Sequence, residues 1–462
     1  MIDYIKKNIA DKKILILGFG KEGQSTYDLF RRALPSQIIT IADLDKEIEK
    51  KNPSLANDNN LNIILGESYL DHLNDFDCIF KTPGISLKDI DSPFDVEKIT
   101  SQTDLFLRIF SKQVIGITGT KGKSTTSSLI YYILSLKNSN VVLLGNIGIP
   151  PFTMLNKIDK ETRILYELSS HQLEYITIAP HIAILLNLYQ EHLDHYKSFE
   201  HYQLAKWNIT LHQHSGDYFI YNSDDPLIID LIEKNNLIRN YFPFSCQKSI
   251  ENGCYLLEEK IYFSKDNNSS CIHDSAKMPF LVGNHNLLNL MAAINVCKIL
   301  DVPDNIIIEG IKTFKGLPHR IEYVGLYNNI HFYNDSISTI PQAAIQAVEA
   351  LKNVDTLILG GFDRGIDYSG LTDYLAKSKI NNLIFIAEAG KRMLDILQID
   401  FPEIKNFDYV DSMESAVNIA MQKTQPGKIC LLSPAAASYG MFKNFEERGD
   451  VFKILIKKNN LS

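Results

Sequence analysis

The residue types best able to do chemistry are concentrated in 114–126, VIGITGTKGKSTT. An apolar run (Val114, Ile115, Ile117) stops at a glycine-rich turn; Lys123 and Ser124 follow, and 125–136 is compatible with a helix. Strand, glycine loop and helix N-terminus in that order make an anion cradle. Backbone N–H groups and the helix dipole point at phosphate, and glycine lets the backbone approach closely. The candidates for holding a nucleotide's phosphates here are Gly119, Thr120, Lys121, Gly122, Lys123, Ser124 and Thr125. Lys123 would reach β/γ-phosphate oxygens and Ser124 would offer its hydroxyl to Mg²⁺. Ile117 stands where the strict G-x-x-x-x-G-K-[ST] pattern has its first glycine, so the loop is a shorter G-x-x-G-K-S-T.

Further polar groups stand at the ends of apolar runs. VVLLGNIG ends on Asn146, RILYELSSHQLE on Glu167, Ser169 and Ser170, and HIAILLNLYQEHLDH on Asn187, Glu191, His192, Asp194 and His195. Ligands of open parallel sheets sit beyond the carboxyl ends of the strands, so these clusters are expected around the phosphate loop. Glu167 there reads as a metal ligand or as a buried ion-pair partner. A zinc site on His192 and His195 lacks the Cys or His residues to complete four ligands.

Lys206 is informative by its position. Phe199, Tyr202, Lys206 and Ile209 recur at i, i+3, i+7 and i+10, which puts a lysine on the apolar stripe of a helix. Either it snorkels to water, or burial depresses its pKa and leaves a neutral amine able to take up CO₂.

At 462 residues the chain exceeds one core, and about three domains are expected. Hydrophobic content of 45%, charged content of 22% and a net charge of −8 describe a soluble globular protein without a nucleic-acid surface. No apolar run reaches the roughly 18 residues of a membrane span, and the start does not read as a signal peptide. The six cysteines form no C-x-x-C and read as reduced thiols, so a cytoplasmic setting is expected.

The elements that must position these residues alternate as strand and helix throughout. Residues 1–101 open with a strand, the fingerprint Gly18-Phe19-Gly20-Lys21-Glu22-Gly23 and a helix; a second strand ends on Asp43 and a third on Thr82-Pro83-Gly84. That is a Rossmann-like unit, and taken alone it reads as an NAD site. Residues 102–316 carry the phosphate loop. After the hinge KGLPHRIE, residues 317–462 supply three more apolar strands, each ending in a Gly- or Ser-rich turn. The fold class expected is α/β, with Rossmann-like first and third domains around a P-loop ATPase-like parallel sheet.

The motifs GTKGKST, ELSSHQLE, NLYQEHLDHY, the lysine of YQLAKWN, GNHNLLN, GLPHR, NDS and LLSPAAASYGMFKNFEERG resemble the Mur ligase family in order and spacing. The resemblance spans all three domains. It implies a monomer whose partners are ATP, glutamate and UDP-N-acetylmuramoyl-L-alanine, the substrate carboxylate being activated as an acyl phosphate. It implies catalytic roles for Lys123, Glu167, His192 and Lys206, with one Mg²⁺ on Ser124 and Glu167, a second helped by His192, and Lys206 N-carboxylated as a further ligand. Asn286 resembles the residue against adenine, and Arg320 and Asp335 those holding ATP from the last domain, with domain closure a condition of catalysis. Gly18, Phe19, Gly20, Asp43 and Thr82 fall where uridine and pyrophosphate are held, and Asn146 faces the muramoyl end. Thr339, Arg364, Ser433 and the Phe442 backbone would meet the glutamate carboxylates.

Two departures stand in the amino-acid half. The usual NDSKAT reads NDSIST, with Ile337 for lysine, and Arg364 replaces the lysine of some members. D-glutamate is the default substrate and L-glutamate the alternative. An NAD(P)-dependent oxidoreductase would leave the phosphate loop and the last domain without a role. A non-catalytic nucleotide-binding module would be expected to lack Lys123, Glu167 or Lys206, and all three are present.

Overall fold

A computed structural model describes residues 1–90, 94–145, 149–235, 237–266, 268–275, 283–404 and 406–459. The chain forms three sheets among these residues. The first contains β1 (Ile14–Leu17), β2 (Ile39–Asp43), β3 (Leu61–Leu65), β4 (Cys78–Lys81) and β5 (Ile99–Thr100), all parallel in the order β3-β2-β1-β4-β5. The order reverses between β1 and β4, so the turns after these two strands flank a crevice at their carboxyl ends.

The second sheet holds β6 (Val114–Thr118), β7 (Val141–Gly145), β8 (Arg163–Glu167), β9 (Ile182–Leu185), β10 (Tyr218–Asn222), β11 (Asn240–Ser245), β12 (Gly253–Leu257), β13 (Lys260–Lys265) and β14 (Asn268–Asp274). Its order is β14-β13-β12-β11-β10-β9-β6-β8-β7. It is parallel up to the β11–β12 pairing, and β12, β13 and β14 pair antiparallel. Its reversal lies between β6 and β9, which puts the phosphate loop beside the polar segment 186–192.

The near-continuous Ile, Leu and Val runs of β1, β6, β8 and β9 are wholly buried apart from Arg163, as parallel sheets covered on both faces require. One apolar core joins the first two sheets. In it Phe30 meets Phe80 edge-on, and Phe106 packs against Tyr166, whose hydroxyl bonds to Thr103 at 2.9 Å. Each such buried ring contributes about 1.5–3 kcal/mol. Over the described residues, 1–275 with 285–311 therefore form one compact unit, and 283–284 with 312–459 form the other.

The second unit carries β15 (Glu322–Tyr327), β16 (Ile330–Asn334), β17 (Val354–Gly360), β18 (Asn382–Ile386), β19 (Phe407–Val410) and β20 (Ile429–Leu432), in the order β15-β16-β20-β17-β18-β19. Only β15 runs antiparallel to its neighbour. The turns after β16, β17 and β20 are thereby adjacent at one end. Among the described residues no helix is long and apolar enough to cross a membrane, and all six cysteines are free thiols.

Candidate active site

Two glycines make the phosphate loop possible. Gly119 has φ +151° and a Cβ there would lie 2.9 Å from Leu186; Gly122 has φ +89° and a Cβ would meet the Asn289 side chain. Gly122 is also the N-cap of the helix Lys123–Leu136, and no side chain caps that end. Its first-turn N–H groups are thus left for an anion. Asn187 clamps the loop by accepting from the Lys121 N–H at 2.9 Å and donating to the Lys121 carbonyl at 3.1 Å. Thr120 bonds to the Tyr202 hydroxyl at 2.8 Å, and Lys121 pairs with Glu191.

Lys123 donates to the carbonyls of Gly119 (2.8 Å) and Thr120 (3.1 Å), which holds its ammonium over the loop. Ser124 Oγ donates to Glu167 Oε1 at 3.0 Å, so the hydroxyl and the carboxylate from the end of β8 are already together. Thr125 is buried on the following turn. Asn286 accepts a hydrogen bond from Asn289 Nδ2 at 3.3 Å and so stands one helical turn from the residue packed on Gly122.

Lys206 is 2% exposed, in the helix Phe199–Leu211. Its Nζ lies 3.0 Å from the Gly119 carbonyl, 3.5 Å from Thr118 Oγ1 and over the Tyr202 ring. Among the described residues it makes no ion pair with a carboxylate. Burial, then the like charge of Lys123, pulls its pKa well below the ordinary lysine value. The snorkelling alternative is excluded by this burial.

His192 has φ +58° and is half exposed at the mouth. It packs edge-on to His171 with 4.8 Å between ring centres. His195 turns away from the phosphate loop: its Nε2 meets Glu174 at 3.3 Å, and Glu174 pairs with the buried Lys81 at 3.2 Å. Burial opposes ionisation of Glu174, yet the His195 bond and the Lys81 charge take its carboxyl below the usual value. Burial also pulls His171 down to about 3, helped by His195, His192 and Lys81, and lifts Glu22 to about 7 against the opposing Gln172 bond. Glu22, His171, His192 and His195 line one cavity of about 490 Å³ that also touches Thr120, Lys123, Glu191, Lys206 and the Pro83-Gly84 turn. Among the described residues no three His, Cys, Asp or Glu side chains are grouped so as to hold a metal ion by themselves.

In the first sheet the Phe19 N–H donates to Asp43 Oδ2 at 2.6 Å, so Asp43 anchors the glycine turn. Thr82 bonds to the Leu17 carbonyl and fills the space a side chain at Gly18 (φ +92°) would need. Gly20 is the N-cap of the helix Lys21–Ala33, again without a side-chain cap. Asn146 lies outside the described residues.

In the second unit Asp335 is 2% exposed, and burial raises its carboxyl to about 6 despite bonds from Ser338, Ser433 and the Ile321 N–H. Ser433 is fully buried with its Oγ 2.7 Å from Asp335 Oδ2. Its hydroxyl proton goes to Asp335, on the neighbouring part of the same sheet end. Arg320 lies between two left-handed residues, His319 (φ +62°) and Ile321 (φ +45°). Arg364 Nη2 donates to the Thr339 carbonyl at 2.9 Å, which brings the turns after β16 and β17 together. The Phe442 N–H donates to the Ser438 carbonyl.

Sequence reasoning missed three structural partners. Arg448 is buried and bonds to Ser336 and to the carbonyls of Ala436 and Ala437, tying the turns after β16 and β20; burial lowers it to about 10. Asn289, one turn after Asn286 in GNHNLLN, carried a spacing signal that could have found it. Lys81 carried a weaker one, a lysine closing an apolar strand.

A family description, Mur ligase middle domain, matches residues 117–297, and another, Mur ligase glutamate ligase domain, matches 319–436. The UDP-N-acetylmuramoylalanine–D-glutamate ligase of Thermoanaerobacter sp. (strain X514) is 33% identical over 96% of this chain and 98% of its own. That of Lactiplantibacillus plantarum is 33% identical over 96% and 95%. Among solved structures, MurF ligase from Thermotoga maritima in complex with ADP matches at TM-score 0.55 and 17% identity, covering 98% of this chain and 97% of that one. The UDP-N-acetylmuramate–alanine ligase MurC of the same organism matches at 0.54 and 18%, covering 97% and 100%. Phosphate loop, buried lysine and three α/β sheets thus fall within one lineage of amide-forming ligases, and the chain belongs to the Mur ligase family.

Proposed function

We propose that the protein joins glutamate to UDP-N-acetylmuramoyl-L-alanine at the expense of ATP, through an acyl phosphate, in peptidoglycan precursor synthesis. The observation that carries this is the juxtaposition of Lys123, Ser124, Glu167 and Lys206 around an uncapped helix N-terminus, at one end of a cavity that reaches the glycine turn of the first sheet. The full-length likeness to glutamate ligases supports the choice of substrates.

Phosphoryl transfer is mostly positioning and charge neutralisation. The loop N–H groups and Lys123 hold the ATP phosphates, with Asn286 against the base and Arg320 and Asp335 as further ATP contacts. The substrate carboxylate attacks the γ-phosphorus, the bond to the β–γ bridging oxygen breaks, and ADP leaves. The glutamate amine then adds to the acyl carbon and inorganic phosphate departs as the amide forms. Gly18, Phe19, Gly20, Asp43 and Thr82 take the UDP end, Asn146 the muramoyl end, and Thr339, Arg364 and the Phe442 backbone the incoming glutamate. Ser433 joins them as a further glutamate contact and also bonds to Asp335.

The oxygen donors Ser124 and Glu167, bonded at 3.0 Å, fit Mg²⁺, a hard cation that completes its shell with water and phosphate. Bound there, it would offset charge on the transferring phosphoryl group; His192 would help hold a second Mg²⁺, and a carboxylated Lys206 would serve as a further ligand. CO₂ adds to the neutral Lys206 amine with loss of a proton, which turns a base into a carboxylate. A substrate labelled with ¹⁸O in its carboxylate tests the acyl phosphate: one label must appear in released phosphate, and unlabelled phosphate overturns it.

Ile337 favours a second reading of the amino acid. A half-buried isoleucine offers no donor where a lysine would offer three, so L-glutamate competes with the D-glutamate default.

A further inference from the structure

Three histidines in the wall of the 490 Å³ cavity, His171, His192 and His195, belong to a run of contacts that continues behind it to Glu174 and Lys81. Lys81 pairs with Glu174 (3.2 Å), Glu174 with His195 (3.3 Å), His195 packs edge-on against His171 (4.1 Å between ring centres), and His171 against His192 (4.8 Å). At one end Lys81 closes β4, next to the Thr82-Pro83-Gly84 turn. At the other His192 stands by Lys123 and Lys206, which line the same cavity. His171 is in the middle. It stacks parallel on Tyr196 with 5.6 Å between ring centres, so its orientation is fixed by three other rings.

Neither nitrogen of His171 hydrogen-bonds a described residue, and Nε2 is shut off from solvent. A ligand in the cavity cannot reach Nε2, so Nδ1 is the nitrogen left to meet one. Beyond His195, Lys81 and Glu174 answer each other's charge. The middle of the wall therefore offers a hydrogen bond without a charge.

We propose that His171 contacts the substrate, giving a hydrogen bond through the ring edge that lines the cavity to a neutral polar group of the lactyl-alanyl segment, whose amide is of that kind. This rests on the ligase reading above. A substrate whose nucleotide lies at the first-sheet turn and whose carboxylate lies at Lys123 must pass His171 with its middle portion. Its phosphates and its carboxylate, being anions, go to the two ends.

The test compares wild type with His171→Phe, which keeps a ring to stack on Tyr196 and removes both nitrogens, and with His171→Gln, which restores a donor. The expected result for His171→Phe is a KM for UDP-N-acetylmuramoyl-L-alanine raised about tenfold, or about 1.4 kcal/mol, with ATP KM and kcat within about twofold. Part of the loss is recovered in His171→Gln. UDP-N-acetylglucosamine, which lacks the lactyl-alanyl segment, should inhibit wild type and His171→Phe equally. An unchanged KM in His171→Phe overturns the contact. So does a matching loss of UDP-N-acetylglucosamine inhibition, which would mark a merely structural role. A wild-type enzyme inactive on this substrate sinks the ligase reading itself, an outcome separate from either.

Discussion

Replacing Lys206 by methionine separates its chemistry from its packing. Methionine keeps most of the stem in a site that is 2% exposed, while the bond to the Gly119 carbonyl at 3.0 Å is lost. That bond is worth about 0.5–1.5 kcal/mol net. The cost of burying an amine that no described carboxylate pairs with, about 1–3 kcal/mol on mutational scales, disappears with it. The two nearly cancel, so the melting temperature should move by only a few degrees. Activity should fall roughly 100–1000-fold, the usual effect of removing one preorganised electrostatic group. Lys206→Ala leaves space instead, and acetate should partly restore its rate by standing in for the carbamate. Phosphate release gives the rates, and ¹³C NMR after equilibration with labelled bicarbonate shows the carbamate. A Lys206→Met enzyme with most of its activity, or a fully active wild type without the label on Lys206, refutes the reasoning.

Lys123→Ala should lose roughly 100–1000-fold in phosphate release while its far-UV circular dichroism is unchanged; a variant with most of its activity contradicts the phosphate-loop assignment. Asp335, lifted to about 6 by burial, holds its proton more tightly in the folded chain than in the unfolded one. Its favourable term is complete below about 4 and is lost as pH rises to 6, at a cost of up to about 3 kcal/mol. Asp335→Asn should therefore gain stability relative to wild type between pH 4 and 8 in urea unfolding of the second unit, and a constant difference argues against it. Ile337→Lys should change the D- to L-glutamate rate ratio more than it changes ATP affinity; an unaltered ratio makes that departure neutral.

The parts of this molecule that local sequence dictates were legible before the structure. Gly119 and Gly122 announce a turn that only glycine can make, and the apolar runs of β6, β8 and β9 announce buried parallel strands. Lys206 on an apolar stripe announced a lysine that either snorkels or is buried, and the structure buries it. Contacts between distant segments were not legible. Lys81 and Glu174 are 93 residues apart, and Ser336 and Arg448 are 112 apart, so no local period joins them. The bond from Ser433 to Asp335, 98 residues away, was hidden for the same reason. The shared core of the first two sheets also depends on side chains such as Phe106 and Tyr166 meeting across long sequence distances.

The central claim is the reaction, and the most direct measurement is incubation of the purified protein with Mg-ATP, UDP-N-acetylmuramoyl-L-alanine and each glutamate enantiomer separately. The account predicts ADP, phosphate and a product heavier by one glutamyl residue with one enantiomer, D-glutamate by default. Absence of that product with both enantiomers would contradict it.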